Sequence, residues 1–207
     1  MNRRRILPLV LAVIALATVL GIVAGGLLRD GAAPGPVAVA PTAVAPSPTA
    51  TPAPSSAAIV RLQVPRIGID AGVVSLGVDP DGTMQSPAKP MDVGWYRFAS
   101  LPGHGGNVVM SGHVDYVNFG AAVFYRLKEL QPGDRIIVGL EDGLSFAYEV
   151  ESLTTYNAND PVQEAVGPTA AESVTLITCT GAFDAASREY DKRLVVRGRL
   201  VETASAR

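Results

Sequence analysis

The stretch "TLITCTG", residues 175–181, places threonine, leucine and isoleucine directly before the only cysteine of the 207-residue chain. β-Branched residues favour strands because they pack well on a pleated surface. The stretch therefore predicts a strand over residues 173–179 that ends at Cys179, with Thr180 and Gly181 turning the chain away. A second β-rich run, "RLVVRGRLV", begins at Arg193, and an antiparallel hairpin through the turn "TGAFDAASREYDK" would bring Arg193 beside Cys179.

The same pattern extends over residues 59–203, where short β-rich runs alternate with turn residues. "RIIVGL" and "LSFAYEVESLTTY" predict a hairpin around "EDG", and two earlier runs read as strands split by Asp70. Helical segments are limited to short turns, so the pattern lacks the strand–helix–strand units of a parallel sheet. The sequence predicts an all-β barrel or sandwich of about seven or eight strands.

The N-terminus has the pattern of a membrane segment. A basic stub, residues 1–5, precedes an uncharged apolar run, residues 6–28. As a helix these residues would span roughly 35 Å, enough for a hydrocarbon core about 30 Å thick. A cleaved signal peptide usually has a shorter apolar core, so an uncleaved signal-anchor is favoured over it. The arginines would stay in the cytoplasm, which predicts a single-pass protein of the cell membrane with the domain that follows the membrane segment outside.

Composition divides the rest of the chain. Residues 29–58 are rich in Ala, Pro and Thr and predict a disordered linker that cannot form a core. The globular domain is expected over residues 59–203, followed by a short tail at 204–207. The first thirty residues hold four of the 17 basic and one of the 19 acidic residues, which leaves 13 and 18. That acidic balance argues against nucleic acid as a partner.

Cys179 cannot form a disulfide within its own chain, although the predicted location is one where cysteines commonly pair. A leftover thiol in an exported protein is a candidate reactive group, and the alternative is a small buried hydrophobic residue. Zinc binding is disfavoured because His104 and His113 are nine residues apart and far from the cysteine. No metal is therefore expected.

A nucleophilic thiol needs a partner that handles protons and a group that stabilises an oxyanion. His104 lies in the glycine-rich stretch "LPGHGGN" and reads as a solvated loop residue. His113 follows the apolar strand "NVVMSG", and Gly112 is expected to let the chain turn there. Either backbone amides or an arginine could stabilise the oxyanion, with Arg193 the first candidate and Arg188 its main competitor.

Three motifs in this order resemble those of sortases, the membrane-anchored cysteine transpeptidases of Gram-positive-type bacteria. They are "SGHVDY" at 111–116, "TLITCTG" at 175–181 and "RLVVRG" at 193–198. The resemblance covers roughly residues 59–203 and implies a closed eight-stranded β-barrel. It leaves the class open, although the missing lid motif and C-terminal membrane helix favour a housekeeping-like or class D, E or F enzyme.

The resemblance also implies roles for single residues. Cys179 would be the nucleophile, His113 the general acid and base, and Arg193 the group that holds the substrate backbone and the oxyanion. Thr178 and Thr180, on either side of the nucleophile, are expected to contact the substrate. No cofactor is implied.

The implied substrate is a protein carrying an LPxTG-like sorting signal, cleaved between threonine and glycine through a thioacyl-enzyme. The acyl group would pass to an amine, either of a peptidoglycan precursor or of a pilin lysine. Two alternatives stay open. One is another cell-wall cysteine transpeptidase or peptidase, although the S-H-G-C motif of L,D-transpeptidases is missing. The other is a non-catalytic surface-binding barrel with a buried thiol.

Overall fold

The computed structural model describes residues 54–161 and 163–205. The basic stub, the predicted membrane segment and most of the predicted linker lie outside these residues. Among the residues described, no helix has the length and apolar character needed to cross a membrane. Residues 54–58, the end of the predicted linker, lie against the barrel, because Ala58 accepts a hydrogen bond from the Glu141 amide at 2.9 Å.

The described chain is made of strands with three short helical turns. The strands are β1 (Ile59–Val64), β2 (Ile69–Leu76), β3 (Val93–Tyr96), β4 (Asn107–Ser111), β5 (Asp115–Tyr116), β6 (Gly120–Ala121), β7 (Arg135–Leu140), β8 (Leu144–Asn157), β9 (Ser173–Asp184) and β10 (Glu189–Ser205). The helical turns are the 3₁₀ segments Pro65–Ile67 and Leu127–Glu129 and the α-helix α1 (Gln163–Val166).

Eight strands close into a barrel in the order β1-β2-β3-β4-β9-β10-β8-β7, with β7 returning to β1. β5 and β6 form a separate small hairpin. The prediction of a closed eight-stranded all-β barrel is confirmed. Two neighbouring pairs, β2–β3 and β4–β9, are parallel, and the other barrel pairs are antiparallel.

Apolar side chains fill the barrel, as expected for eight strands. On β7, Ile136, Val138 and Leu140 are buried while the residues between them are less so, which is the alternation of a strand with one face on the core. The few aromatic residues contribute fully buried rings, those of Tyr148 and Phe124. The core therefore depends mainly on aliphatic residues.

Asp70 does not split the first two strands, so that prediction is wrong. It lies inside β2, where its carboxylate accepts a hydrogen bond from Arg61 Nε at 2.6 Å across the β1–β2 pair. The break comes earlier, at the 3₁₀ turn Pro65–Ile67, which ends at Gly68 with a φ of 73°. Proline starts the turn and glycine adopts the left-handed conformation that ends it.

Cys179 does not end its strand either. β9 continues to Asp184, and the segment taken as a turn is mostly paired strand. Pairing shifts by one residue between Tyr190 and Lys192, because β9 carries an extra residue at a bulge where Gly181 has a φ of 88°. Beyond the bulge β9 and β10 pair with each other in a segment we call the ribbon, residues 180–192.

The bulge gives a test of the ribbon's construction. A Cβ at Gly181 would lie 2.0 Å from Asp191 Oδ1, and this carboxylate accepts the Ala182 amide at 2.7 Å. We expect Gly181→Ala to lower the free energy of unfolding by about 1–3 kcal/mol, because it combines a strained φ with a steric clash. Urea denaturation measures the change.

Gly72→Ala is the matched control, since a Cβ at this position in β2 meets no atom within 4 Å. Its unfolding free energy should stay within about 0.5 kcal/mol of the wild type. Equal stability of the two variants would contradict the bulge geometry.

Candidate active site

β9, which carries Cys179, and β4, which ends two residues before His113, are parallel neighbours in the barrel. β4 pairs with β9 up to Ser111 opposite Ile177. The Gly112 amide donates to the Ile177 carbonyl at 3.1 Å, and the Thr178 hydroxyl donates to the Gly112 carbonyl at 2.8 Å. The next residues along each chain are His113 and Cys179. The two predicted catalytic side chains therefore leave one rim of the barrel side by side.

Gly112 is needed for space and not for a turn. Its φ is not among the positive values of the described glycines, which corrects the expectation from the sequence. A Cβ at this position would lie 2.7 Å from both Phe124 Cδ2 and Val123 Cγ1. Glycine therefore lets residues 123–124 pack directly beneath the backbone that carries His113.

Arg193 lies directly opposite Cys179 in the β9–β10 pair, where the sequence placed it. Its Nη1 donates to the backbone carbonyls of Tyr190 and Lys192 at 2.9 and 3.1 Å. These bonds anchor the guanidinium and leave its other N–H groups free to bind a further acceptor. Arg188, its competitor, lies in the loop at the tip of the ribbon with a φ of 60°.

Two cavities meet at this rim. The first, of about 460 Å³, lies between the β5–β6 hairpin and the ribbon, and we call it the hairpin cavity. The second, of about 450 Å³, lies beside the connector that joins β2 to β3, residues 77–92, and we call it the connector cavity. Both are lined by the same four residues, which are His113, Cys179, Glu189 and Arg193.

The cavities differ in the rest of their lining. The hairpin cavity carries the charged side chains of Asp115 and Arg188 and the apolar ones of Val117 and Phe183. The connector cavity is bounded by Met84, Pro87, Tyr96, Ile177 and Thr178 among others. Arg188 lines the hairpin cavity alone, whereas Arg193 lines both cavities.

Charges around the thiol oppose one another. Burial raises the pKa of the half-buried Cys179 thiol, Arg193 lowers it, and Asp115 and Glu189 raise it. Burial is the largest of these effects, so the pKa of the thiol is raised overall, which favours its neutral form. Arg193 acts in the direction that favours the reactive thiolate.

Asp115 also links the two walls of the hairpin cavity. Its carboxylate accepts a hydrogen bond from the Tyr190 hydroxyl, which joins the β5–β6 hairpin to the ribbon. This bond raises the pKa of Tyr190 to about 12. The Tyr190 ring also packs against Phe183, with the ring centroids 5.1 Å apart.

The predicted substrate-binding residues are placed differently from one another. Thr178 is 4% exposed and lines the connector cavity, but its hydroxyl is already bonded to Gly112. Thr180 is half-buried, lies opposite Lys192 and lines neither cavity. A contact between either threonine and substrate stays a prediction.

His104 lies away from the two cavities, and its Nε2 is 2.9 Å from the Ser55 carbonyl. Within residues 54–161 and 163–205, no three His, Cys, Asp or Glu side chains form a group that could hold a metal ion. His113 is thus the histidine that the fold brings to the thiol.

Sequence reasoning missed several residues of the site. Asp115 lies within the quoted motif "SGHVDY", and Glu189 and Tyr190 lie within the segment read as a turn. These acidic and phenolic side chains lie within four residues of His113 or Arg193, and that proximity could have identified them as residues of the site. Pro87 meets the imidazole through its backbone carbonyl, which accepts a hydrogen bond from His113 Nε2 at 2.7 Å. A backbone group leaves no such signal in a sequence.

The thiol lies opposite an arginine on the neighbouring strand and beside a histidine, at the rim of a closed β-barrel. This arrangement defines a site of the cysteine-nucleophile class. Residues 62–201 match the family model described as the Sortase domain. The chain belongs to the sortase family, whose members are cysteine transpeptidases. No curated protein matches the chain.

Solved structures share the fold. Sortase A of Listeria monocytogenes has a TM-score of 0.56 at 20% identity, covering 73% of this chain and 92% of its own. A lid mutant of Corynebacterium diphtheriae sortase A gives 0.54 at 24% identity, covering 75% and 74%. Sortase C of Streptococcus pneumoniae gives 0.53 at 26% identity, covering 72% and 70%.

The opposing charges predict opposite shifts of thiol reactivity with pH. Arg193→Gln should raise the pKa of Cys179, because it removes the cation that favours the thiolate. Asp115→Asn should lower it, because it removes a carboxylate while keeping an acceptor for Tyr190. Iodoacetamide alkylation followed from pH 6 to 10 measures both midpoints.

Arg193→Lys is the charge-preserving control and should stay closer to the wild-type midpoint than Arg193→Gln. Midpoints that move in the same direction for Arg193→Gln and Asp115→Asn would show that these charges do not control the thiol.

Proposed function

We propose that the protein is a membrane-anchored sortase that cleaves an LPxTG-like sorting signal between threonine and glycine. The acyl group is held as a thioester on Cys179 and passes to an amine of the cell wall, from a peptidoglycan precursor or a pilin lysine. The predicted signal-anchor, residues 6–28, would hold the domain at the outer face of the cell membrane.

The junction of the two cavities carries this proposal. A transpeptidase must bring two substrates to one atom, the acyl donor first and the amine afterwards. Cys179, His113 and Arg193 line both cavities, so each cavity has its own approach to the same thiol. A non-catalytic binding barrel has no need for this arrangement, and the thiol is half-buried within it.

The residues fit the two half-reactions. In the first, His113 takes the proton of the Cys179 thiol, and the thiolate attacks the threonine carbonyl to form the S–C bond. The C–N bond to glycine then breaks as His113 passes that proton to the leaving nitrogen. In the second, an amine attacks the thioester, His113 takes the amine's proton, and the thiolate is released. Arg193 donates to the carbonyl oxygen while it carries negative charge.

Lining chemistry divides the substrates between the cavities. The connector cavity offers Met84, Tyr96 and Ile177, which suit the apolar residues of an LPxTG-like peptide. The hairpin cavity carries Asp115, which the connector cavity lacks, and this carboxylate attracts an amine in its protonated form. We therefore place the sorting signal in the connector cavity and the amine in the hairpin cavity.

Removal of the thiol tests the activity. Cys179→Ala should abolish cleavage of a fluorogenic LPxTG-type peptide, and His113→Ala and Arg193→Ala should each reduce kcat/KM by at least about 100-fold. Peptide cleavage with and without added amines measures these rates.

Arg199→Ala is the matched control. Arg199 lies on the same strand as Arg193 and pairs with Glu149 at 2.7 Å, with its side chain 50% exposed. Its cleavage rate should equal that of the wild type. Turnover by Cys179→Ala would exclude the sortase chemistry, and a peptide library without any cleaved member would favour the surface-binding alternative.

Blocking each cavity tests the division between substrates. Met84→Trp, in the connector cavity, should raise the KM for the peptide. Val117→Trp, in the hairpin cavity and 62% exposed in the wild type, should leave peptide hydrolysis unchanged and lower the fraction transferred to an amine. Product ratios by mass spectrometry distinguish the two effects.

Each variant serves as the control for the other, because both add the same bulky side chain to a different cavity. The assignment would be reversed if Val117→Trp raised the peptide KM while Met84→Trp lowered only the transferred fraction.

A further inference from the structure

The contact between His113 and Pro87 determines which ring nitrogen carries the proton. His113 Nε2 lies 2.7 Å from the Pro87 carbonyl oxygen. A carbonyl oxygen can only accept a hydrogen bond, so the imidazole must donate through Nε2–H. The neutral ring is then the Nε2–H tautomer, and Nδ1 is the nitrogen that gains and loses a proton.

Pro87 is held in place by the stretch of the connector that we call the strap, residues 85–90. Pro87 is buried, and two backbone bonds fasten the connector on either side of it. The Gln85 amide donates to the Gly77 carbonyl at 3.2 Å, and the Pro90 carbonyl accepts the Val123 amide at 3.0 Å. Side chains reinforce one end, since Gln85 Oε1 accepts the Gly77 amide at 2.8 Å.

Tyr96 ties the strap to the barrel. Its hydroxyl donates to the Gln85 carbonyl at 2.7 Å and lies 2.7 Å from Ser111 Oγ. The single phenolic proton is used on the carbonyl, so Ser111 donates to the tyrosine. Tyr96 is 2% exposed, and Ser111 is two residues before His113. One buried hydroxyl therefore connects the strap to the strand that delivers the histidine.

The histidine ring has a second contact, with an aromatic side chain. His113 and Tyr116 pack edge to face, with centroids 5.1 Å apart and the planes at 73°. The Tyr116 hydroxyl donates to the Ala88 carbonyl at 3.2 Å, so this ring too is tied to the strap. The strap thus touches the imidazole directly through Pro87 and indirectly through Tyr116.

We propose that the strap is the positioning element of His113, with the Pro87 carbonyl fixing the Nε2–H tautomer and Tyr96 as the positioning residue that holds the strap. The histidine then exchanges protons with the thiol, the leaving amine and the acceptor through Nδ1. The role of Nδ1 in the reaction rests on the proposed transpeptidase function, whereas the tautomer does not.

The tautomer is measured directly by ¹⁵N NMR of the wild-type protein labelled at histidine. The chain has two histidines, so a comparison with the His104→Gln variant identifies the signals of His113. At a pH where the ring is neutral, we expect Nε2 to show the protonated shift and Nδ1 the unprotonated one. The opposite pattern would overturn the proposal, whether or not the protein cleaves sorting signals.

Tyr96→Phe tests the link through the strap. It should convert the single tautomer to a mixture and lower kcat about fivefold, the effect of one lost buried hydrogen bond, with the peptide KM within about twofold. A rise in KM without a change of tautomer would show that Tyr96 acts on substrate and not through His113.

Tyr148→Phe is the matched control. Tyr148 is also fully buried, and its hydroxyl donates to Glu172 at 2.8 Å, beside the start of β9. This bond is seven residues from Cys179, about 23 Å along a strand. The variant should lose similar stability and keep both the tautomer and kcat. Gln85→Ala, which removes the side-chain bonds of the strap, should reproduce the tautomer change even if Tyr96→Phe folds poorly.

Discussion

The parallel pairing of β4 with β9 is the constraint on which the site depends. Parallel strands run in the same direction, so the residues that follow their last pair are neighbours. Here the pairing runs to Ser111 and Ile177, and the Thr178 hydroxyl extends it by one residue to Gly112. The separation of imidazole and thiol is thereby set by backbone hydrogen bonds, the least adjustable contacts of the fold.

Burial and charge act against each other at the thiol. Partial burial makes the thiolate costly, whereas Arg193, anchored by two backbone carbonyls, offsets part of that cost. The balance between these opposing effects determines how much of the reactive thiolate is present.

Strand patterns were sufficient for the all-β class and for the pairing of Arg193 with Cys179, because both follow from strand runs and a local hairpin. The choice of a closed eight-stranded barrel over a sandwich came from the family resemblance. Strand patterns could not predict that β4 pairs with β9, since no local sequence signal indicates a parallel pair of strands separated by more than fifty residues. Gly181 was read as a turn because a bulge and a turn make the same demand on φ. Gly112 was also read as a turn residue, but it is needed because a Cβ there would clash with Val123 and Phe124. Such a distant contact leaves no local sequence signal.

The bulge at Gly181 separates the register of the catalytic pair from the register of the ribbon, which a continuous ladder of hydrogen bonds would couple. Upstream of it the register is locked to the barrel, whereas downstream of it the ribbon is paired to itself. Residues could be added or removed in the loop at the ribbon's tip, around Arg188, without shifting Cys179 against Arg193. The outer wall of the hairpin cavity can therefore diverge in length and chemistry during evolution, so that one catalytic rim can be adapted to different substrates.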